Sequence, residues 1–304
     1  MINIKKIVVP CDFSKLSKDA INTALYLCEK FDADLTVVHA RVLFADNPDI
    51  VTGEFEELKE YEQQVDKKIL EKMKAHTVKH KHKLKIEHEI IRGFSVGPAV
   101  LNYLNTNDFD LVILGTHGHN PIEHFLLGSV AEKVVKYAPC PVITIRPDVQ
   151  LMETPKRVLI PFDFSDYAKK SLQYAANFAK IFNSVVDLLY IVDVDVHPAL
   201  YAWGMRSVLE IIPDLEKKAN NDFKKLLKQK DLAQLKINTC IKEGKPHREI
   251  IKYAADHNHD LIIIATHALA GIDRLLLSSV TEKVIRAAPC TVLTLKMAEK
   301  EFIK

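Results

Sequence analysis

Lys6–Ser14 reads K-I-V-V-P-C-D-F-S, and Arg157–Ser165, 151 residues further on, reads R-V-L-I-P-F-D-F-S. Each begins as a continuous apolar run rich in β-branched residues. A run that does not alternate with polar residues belongs to a strand buried on both faces. The serine that closes each stretch is a helix N-cap residue, so a helix is expected to start just after the strand. Strand, tight turn and helix together open a β-α-β unit.

The repetition extends outward from there. Asp110–Gly118 (D-L-V-I-L-G-T-H-G) returns as Asp260–Ala268 (D-L-I-I-I-A-T-H-A), and Ser129–Arg146 returns as Ser279–Lys296, both at an offset of 150. Three blocks in one order at nearly one offset indicate a duplicated domain, and the period is far too long for a solenoid repeat. A chain of 304 residues suits two domains of ordinary size. The boundaries expected are 1–147 and 156–304, with 148–155 as the linker.

In the first half, strands are expected at Lys5–Val9, Asp34–Ala40, Leu84–Ile91, Leu111–Leu114 and Pro141–Ile145. Helices are expected from Ser14 or Ser17 to about Lys30, from Phe55 to about His80, over Ser95–Asn105 and over Gly128–Tyr137. The second half follows the same order. Alternating strands and helices give an α/β fold, a doubly wound parallel sheet with helices on both faces. In such sheets ligands bind beyond the carboxyl ends of the strands, where the strand order reverses.

Composition narrows the function. A formal charge of +2 implies no field suited to nucleic acid or a membrane surface, so neither partner is expected. The five cysteines (Cys11, Cys28, Cys140, Cys240 and Cys290) form no C-x-x-C pair, which fits a reducing cytoplasm. No apolar run reaches the ~18 residues of a membrane span, and Met1–Pro10 lacks a signal peptide's cleavage region. A cytoplasmic protein is the expectation.

After the fourth strand come Gly115-Thr116-His117-Gly118, then nine residues, then Gly128-Ser129-Val130 at the start of a helix. Glycine there allows positive φ and lets backbone amides approach a ligand closely. With the helix N-terminus and the Ser129 hydroxyl they would cradle a polyphosphate without a lysine.

The spacing G-x2-G-x9-G-S, the following V-A-E-K-V and A-P-C-P-V, and the opening V-P-C-D-F-S resemble the universal stress protein family, twice over essentially the whole chain. The resemblance implies five-stranded parallel sheets of order 3-2-1-4-5 and ATP bound across the ends of strands one and four. It implies that Gly115, Gly118, Gly128 and Ser129 hold phosphates, with Thr116 and His117 completing the loop. Asp12 would sit beside the nucleoside, on a turn shaped by Pro10 and Cys11. His39 and Ala40 would meet the adenine through backbone atoms, and Val130 would pack near the ribose-phosphate end. His119 stands where many relatives have arginine and would donate to phosphate as a weaker, pH-dependent charge. Magnesium would arrive with the nucleotide, reached by Asp12 through water; the loop histidines His117, His119 and His124 show no protein-metal spacing.

In the second half Ala265, Ala268 and Ser278 replace the three glycines while Ser279 remains. That half is expected to be a packing partner or a site of altered specificity, with Asp163 in a capping role. Relatives pair through their last strands, which implies an internal pseudo-dimer through Pro141–Ile145 and Thr291–Leu295; a homodimer of chains and an unidentified signalling partner stay open. The reading is an ATP-binding regulator of a stress response. Two alternatives stand beside it. One is a slow ATPase or nucleotidyl transferase, against which the turn P-C-D-F-S counts, since such transferases carry H-x-G-H there. The other is a nucleotide-free scaffold, against which the intact glycines count. The basic stretch Lys72–Lys85 reads as the solvated end of a helix, Cys11 as a packing residue, and Trp203 as a cover over apolar surface.

Overall fold

The computed structural model describes residues 2–42, 55–78, 84–117, 127–147, 154–193, 209, 212–266, 279–296 and 300. Gly118, His119, His124, Trp203, Ala268 and Ser278 lie outside them. The chain divides into two compact units, Asn3–Glu153 together with Lys300, and Thr154–Ala298 together with Ile2.

The first unit runs β1 (Lys6–Pro10), α1 (Lys15–Phe31), β2 (Asp34–Val42), α2 (Phe55–Thr77), β3 (Ile86–Gly93), α3 (Val96–Thr106), β4 (Leu111–Gly115), α4 (Ser129–Tyr137) and β5 (Val142–Ile145). The second runs β6 (Arg157–Pro161), α5 (Asp166–Phe182), β7 (Val185–Val192), α6 (Pro213–Leu227), β8 (Lys236–Glu243), α7 (Pro246–Asp256), β9 (Leu261–Thr266), α8 (Ser279–Ala287) and β10 (Thr291–Lys296). Within each unit the strands pair in parallel, in the orders β3-β2-β1-β4-β5 and β8-β7-β6-β9-β10. Strand β2 runs two residues past its expected end because its pairing with β3 continues to Val42 and Gly93. Helix α2 stops at Thr77, short of His80. There the Thr77 hydroxyl reaches Nε2 of His88 on β3, 2.8 Å away.

Strands β1 and β4 form the centre of the first sheet, and Ile7, Val8, Val9, Leu111, Val112 and Ile113 are all fully buried. Helix α1 packs over β1 and β4, whereas α3 packs against α4. Right-handed crossovers put α1 and α2 on one face of the sheet and α3 and α4 on the other. The order reverses at β1, which has β2 on one side and β4 on the other, so a crevice opens beyond the carboxyl ends of β1 and β4.

Two repeated aspartates fix this arrangement. The Asp110 carboxylate accepts from the N–H groups of Lys5 and Lys6 at 2.7 and 2.9 Å, pinning the start of β1 to the start of β4. Asp260 does the same for Lys156 and Arg157, both at 2.8 Å. Lys300 adds a cation to the first of these corners, with Nζ 2.7 Å from both Asp108 and Asp110.

None of the five cysteines forms a disulfide; Cys11, Cys28, Cys140 and Cys290 are buried and Cys240 is half-buried. Among the described residues no helix is long and apolar enough to cross a membrane.

Candidate functional site

The turn after β1 is built by its own side chains. Phe13 takes a left-handed backbone (φ 66°), as does its counterpart Phe164 (φ 62°). A bulky residue adopts that conformation only under tight local constraint. Here the constraint is a pair of hydrogen bonds. The Ser14 N–H donates to Asp12 Oδ1 at 2.9 Å, and the Ser14 hydroxyl accepts from the Ser17 N–H at 3.1 Å, capping α1. The Phe13 ring then lies 4.9 Å from the ring of His39, with the Lys72 ammonium 4.4 Å above it. His39 Nδ1 donates to the Cys11 carbonyl at 2.7 Å, so strand β2 holds this turn through a side chain as well as through the Cys11 N–H to Val38 carbonyl bond of 2.8 Å. Burial pushes the Cys11 thiol up, against a thiolate beside the site.

The opposite wall comes from β4 and α4. The Thr116 N–H bonds to the Ile145 carbonyl at 2.8 Å, continuing the sheet, and its hydroxyl lies 2.9 Å from His117 Nδ1. Gly128 caps α4 without any side-chain hydrogen bond; its N–H donates to the Thr116 carbonyl at 2.8 Å. The first N–H groups of a helix have no acceptor within it, so α4 presents a partial positive charge at this end.

These elements enclose a cavity of about 540 Å³, and their counterparts in the second unit enclose one of about 350 Å³. Around the first cavity stand Pro10, Cys11 and Asp12 from the β1 turn, His39 and Ala40 from β2, Gly115, Thr116 and His117 from the end of β4, and Gly128, Ser129 and Val130 from the start of α4. Ser17, Val38, Val96, Val100, Leu114 and Ala131 complete it. Sequence reading missed this second group. Ser17 is legible in retrospect as the residue capped by Ser14, and Val96 and Val100 as an i, i+4 apolar pair on α3.

Of the two reasons for glycine, the described motif positions use the missing side chain rather than the backbone freedom. Neither Gly115 nor Gly128 has a left-handed φ; among the described glycines only Gly244 does. Gly128 is extended at φ −60° and ψ 144°, open to any residue. What both positions lack is space. A Cβ on Gly115 would stand 2.6 Å from Leu16 Cβ, and one on Gly128 would stand 3.1 Å from the Thr116 carbonyl oxygen. Gly115 therefore lets the first turn of α1 lie directly on β4. Gly115→Ala is expected to destabilise the first unit by about 1–3 kcal/mol, the usual cost of overpacking; urea denaturation of the purified variant checks it.

The second cavity occupies the same place in its own fold but is lined differently. Phe162 stands where the first unit has Cys11, Tyr167 where it has Leu16, and Ala265 where it has Gly115. Phe162, Phe164, Tyr190 and Phe223 form an aromatic cluster beneath the turn, with ring centroids 4.9–5.8 Å apart. Asp163 Oδ1 accepts from the Ser165 N–H at 3.0 Å, and Ser165 Oγ caps α5 through the Ala168 N–H at 3.2 Å, as Asp12 and Ser14 do in the first unit. Among the described residues no group of three histidine, cysteine or acidic side chains could hold a metal ion.

Comparison with known proteins identifies relatives of the chain. A universal stress protein of Methanocaldococcus jannaschii is 37% identical over 147 residues, covering 48% of this chain and 85% of that one. One from Mycobacterium tuberculosis is 25% identical over 225 residues, 71% of this chain and 70% of that protein. The crystal structure of a universal stress protein from Archaeoglobus fulgidus superposes with a TM-score of 0.62 at 21% identity, covering 96% of this chain and 98% of that one, a likeness of fold. The family model matches twice, over residues 3–146 and 154–296, so the chain belongs to the universal stress protein family as a tandem of two of its domains.

Proposed function

We propose that the first unit binds ATP and that occupancy of this site tunes the surface the protein offers in a stress response. The observation that supports the reading best is the uncapped N-terminus of α4 opening into the cavity next to a glycine that leaves no Cβ in the way. The residues fit a nucleotide. Gly128, Ser129 and Val130 would take phosphate on main-chain N–H groups and the Ser129 hydroxyl, joined by Gly115, Thr116, His117, Gly118 and His119 of the loop. Val38, Val96 and Val100 give an apolar wall for the base beside His39 and Ala40, and Asp12 would face the ribose. Any magnesium would come with the triphosphate.

Binding fits better than turnover. The titratable groups that line the cavity already hold the fold: Asp12 accepts from Ser14, His39 donates to Cys11, and His117 bonds Thr116. One atom of each is engaged in this way, so these groups serve first to fix the walls of the cavity. The domain boundaries proposed are 1–147 and 156–304.

Titration calorimetry of the purified chain with ATP is expected to show one site per chain, with adenosine bound about 10-fold or more weakly because it lacks the groups the helix N-terminus attracts. Two equivalent ATP sites, or equal affinity for adenosine, would overturn the reading.

A further inference from the structure

We propose that the corner where α7 meets α8 in the second unit binds a small phosphate group, free or as a simple ester. Lys245 is the N-cap residue of α7, His247 and Arg248 lie in its first turn, and Lys283 lies one turn into α8. The first unit shows how closely two of these positions meet. There a Cβ added to Gly97 on α3 would stand 2.9 Å from Lys133 Cδ on α4, so the lysine chain lies directly over the start of α3. His247 and Lys283 hold the same two positions 150 residues on, and α7 packs against α8 as α3 packs against α4. Lys245 and Arg248 stand where the first unit has Ser95 and Pro98. The basic side chains of α7 are thus particular to the second unit, beside a lysine that both units share.

The acids nearby leave most of this charge uncancelled. Lys245 Nζ lies 3.7 Å from Asp193. Glu282 pairs with Arg286 on its own helix. Glu249 turns toward Gly244, where an added Cβ would meet its Oε1 at 3.3 Å. Arg248 and Lys283 are exposed and form no ion pair among the described residues. Burial, and then the charges of Lys283, Arg248 and Lys245, hold His247 below the ordinary histidine value, against a smaller upward pull from Asp193. Cations gathered this way repel one another, and an anion seated among them removes the repulsion. A guanidinium offers phosphate a planar pair of donors, and a lysine offers it a point charge. One corner of charge suits a single phosphate group, whereas a nucleic acid is met by a stripe or a whole face. Pro246 and Ile250, on either side of His247 in the chain, line the second cavity. The organic part of an ester would therefore find apolar surface beside the corner.

Inorganic phosphate and phenyl phosphate are titrated separately into the full chain, with phenol as the uncharged control. The Cε1–H resonance of His247, assigned with His247→Gln, reports binding by NMR. Both phosphates are expected to shift it, and phenol to leave it in place. Phenyl phosphate bound about 3-fold or more tightly than inorganic phosphate assigns an ester as the ligand, and equal affinities assign free phosphate. The titration midpoint of His247 should rise when phosphate is bound, because the anion favours imidazolium over imidazole. Arg248→Ala combined with Lys283→Ala is expected to bind either phosphate about 10-fold more weakly, as the loss of two partly solvated cations allows. Both side chains are exposed, so the double variant should melt within a few degrees of the parent. No shift with either phosphate, an equal shift with phenol, or an unchanged affinity in the double variant would each overturn the proposal. None of these four basic residues lines the first cavity, so failure here leaves the nucleotide reading standing, and the reverse.

Discussion

Gly128→Val is expected to bind ATP about 100-fold or more weakly than the parent chain, while melting only a few degrees below it. The two effects separate because the backbone and the space around Gly128 make different demands. At φ −60° and ψ 144° the residue is in the extended region that valine favours, so the substitution adds no backbone strain. The new Cβ would lie 3.1 Å from the Thr116 carbonyl oxygen, a contact relieved by a shift of a few tenths of an ångström. The γ-methyl groups have no such outlet. They would occupy the space in front of the first N–H groups of α4, where phosphate oxygens are proposed to sit. Losing two charge-assisted hydrogen bonds at about 1.5–3 kcal/mol each accounts for a loss of this size. Calorimetry gives the affinity, and a far-UV circular dichroism melt gives the stability. A variant that keeps ATP within about 3-fold of the parent would place the phosphates elsewhere.

What could be read from the sequence was what lies close together along it. The β1 run announces a buried strand by lacking alternation, and the serine that caps α1 stands four residues past its proline. The duplication multiplies that evidence, because Arg157–Ser165 repeats the pattern with different residues. What could not be read depends on residues far apart in sequence. The need for glycine at 115 comes from Leu16, which meets it only once α1 folds back over β4. In the turn after β1 the residue that takes positive φ is Phe13, whose type gives no hint of it. Asp187, within the run V-V-D-L-L, is visibly out of place in a buried strand, but the groups that hold it come from three other segments.

Those groups make Asp187→Ala the substitution with the largest expected effect on stability, about 3–5 kcal/mol against the second unit. Asp187 lies on β7 with 1% exposure. Its carboxylate accepts from Arg157 at 2.7 Å, Asn238 at 2.7 Å and His259 Nε2 at 2.8 Å, and the His259 side chain is fully buried. Removing the acceptor leaves these donors facing an apolar hole, which costs more than the pair itself contributes. Burial alone would push the Asp187 carboxyl up; the hydrogen bonds from His259, Arg157 and Asn238 and the charge of His259 outweigh it and hold the group well below the usual carboxylate range. The sign follows. A folded value below the unfolded one, about 3.9, gives stability that is fully present above that pH and is lost as pH falls through it toward the folded value. Urea denaturation from pH 7 down to pH 3 should show this acid-side loss in the parent chain and a flatter profile in Asp187→Ala. The first unit supplies the control, since it holds Thr36 and Phe109, both buried, at the positions of Asp187 and His259. Asp187→Thr combined with His259→Phe should regain most of what Asp187→Ala loses, because both partners leave together and Arg157, partly exposed, can turn to water. If the double variant is no more stable than Asp187→Ala, the cost lies in the packing of β7 rather than in orphaned donors.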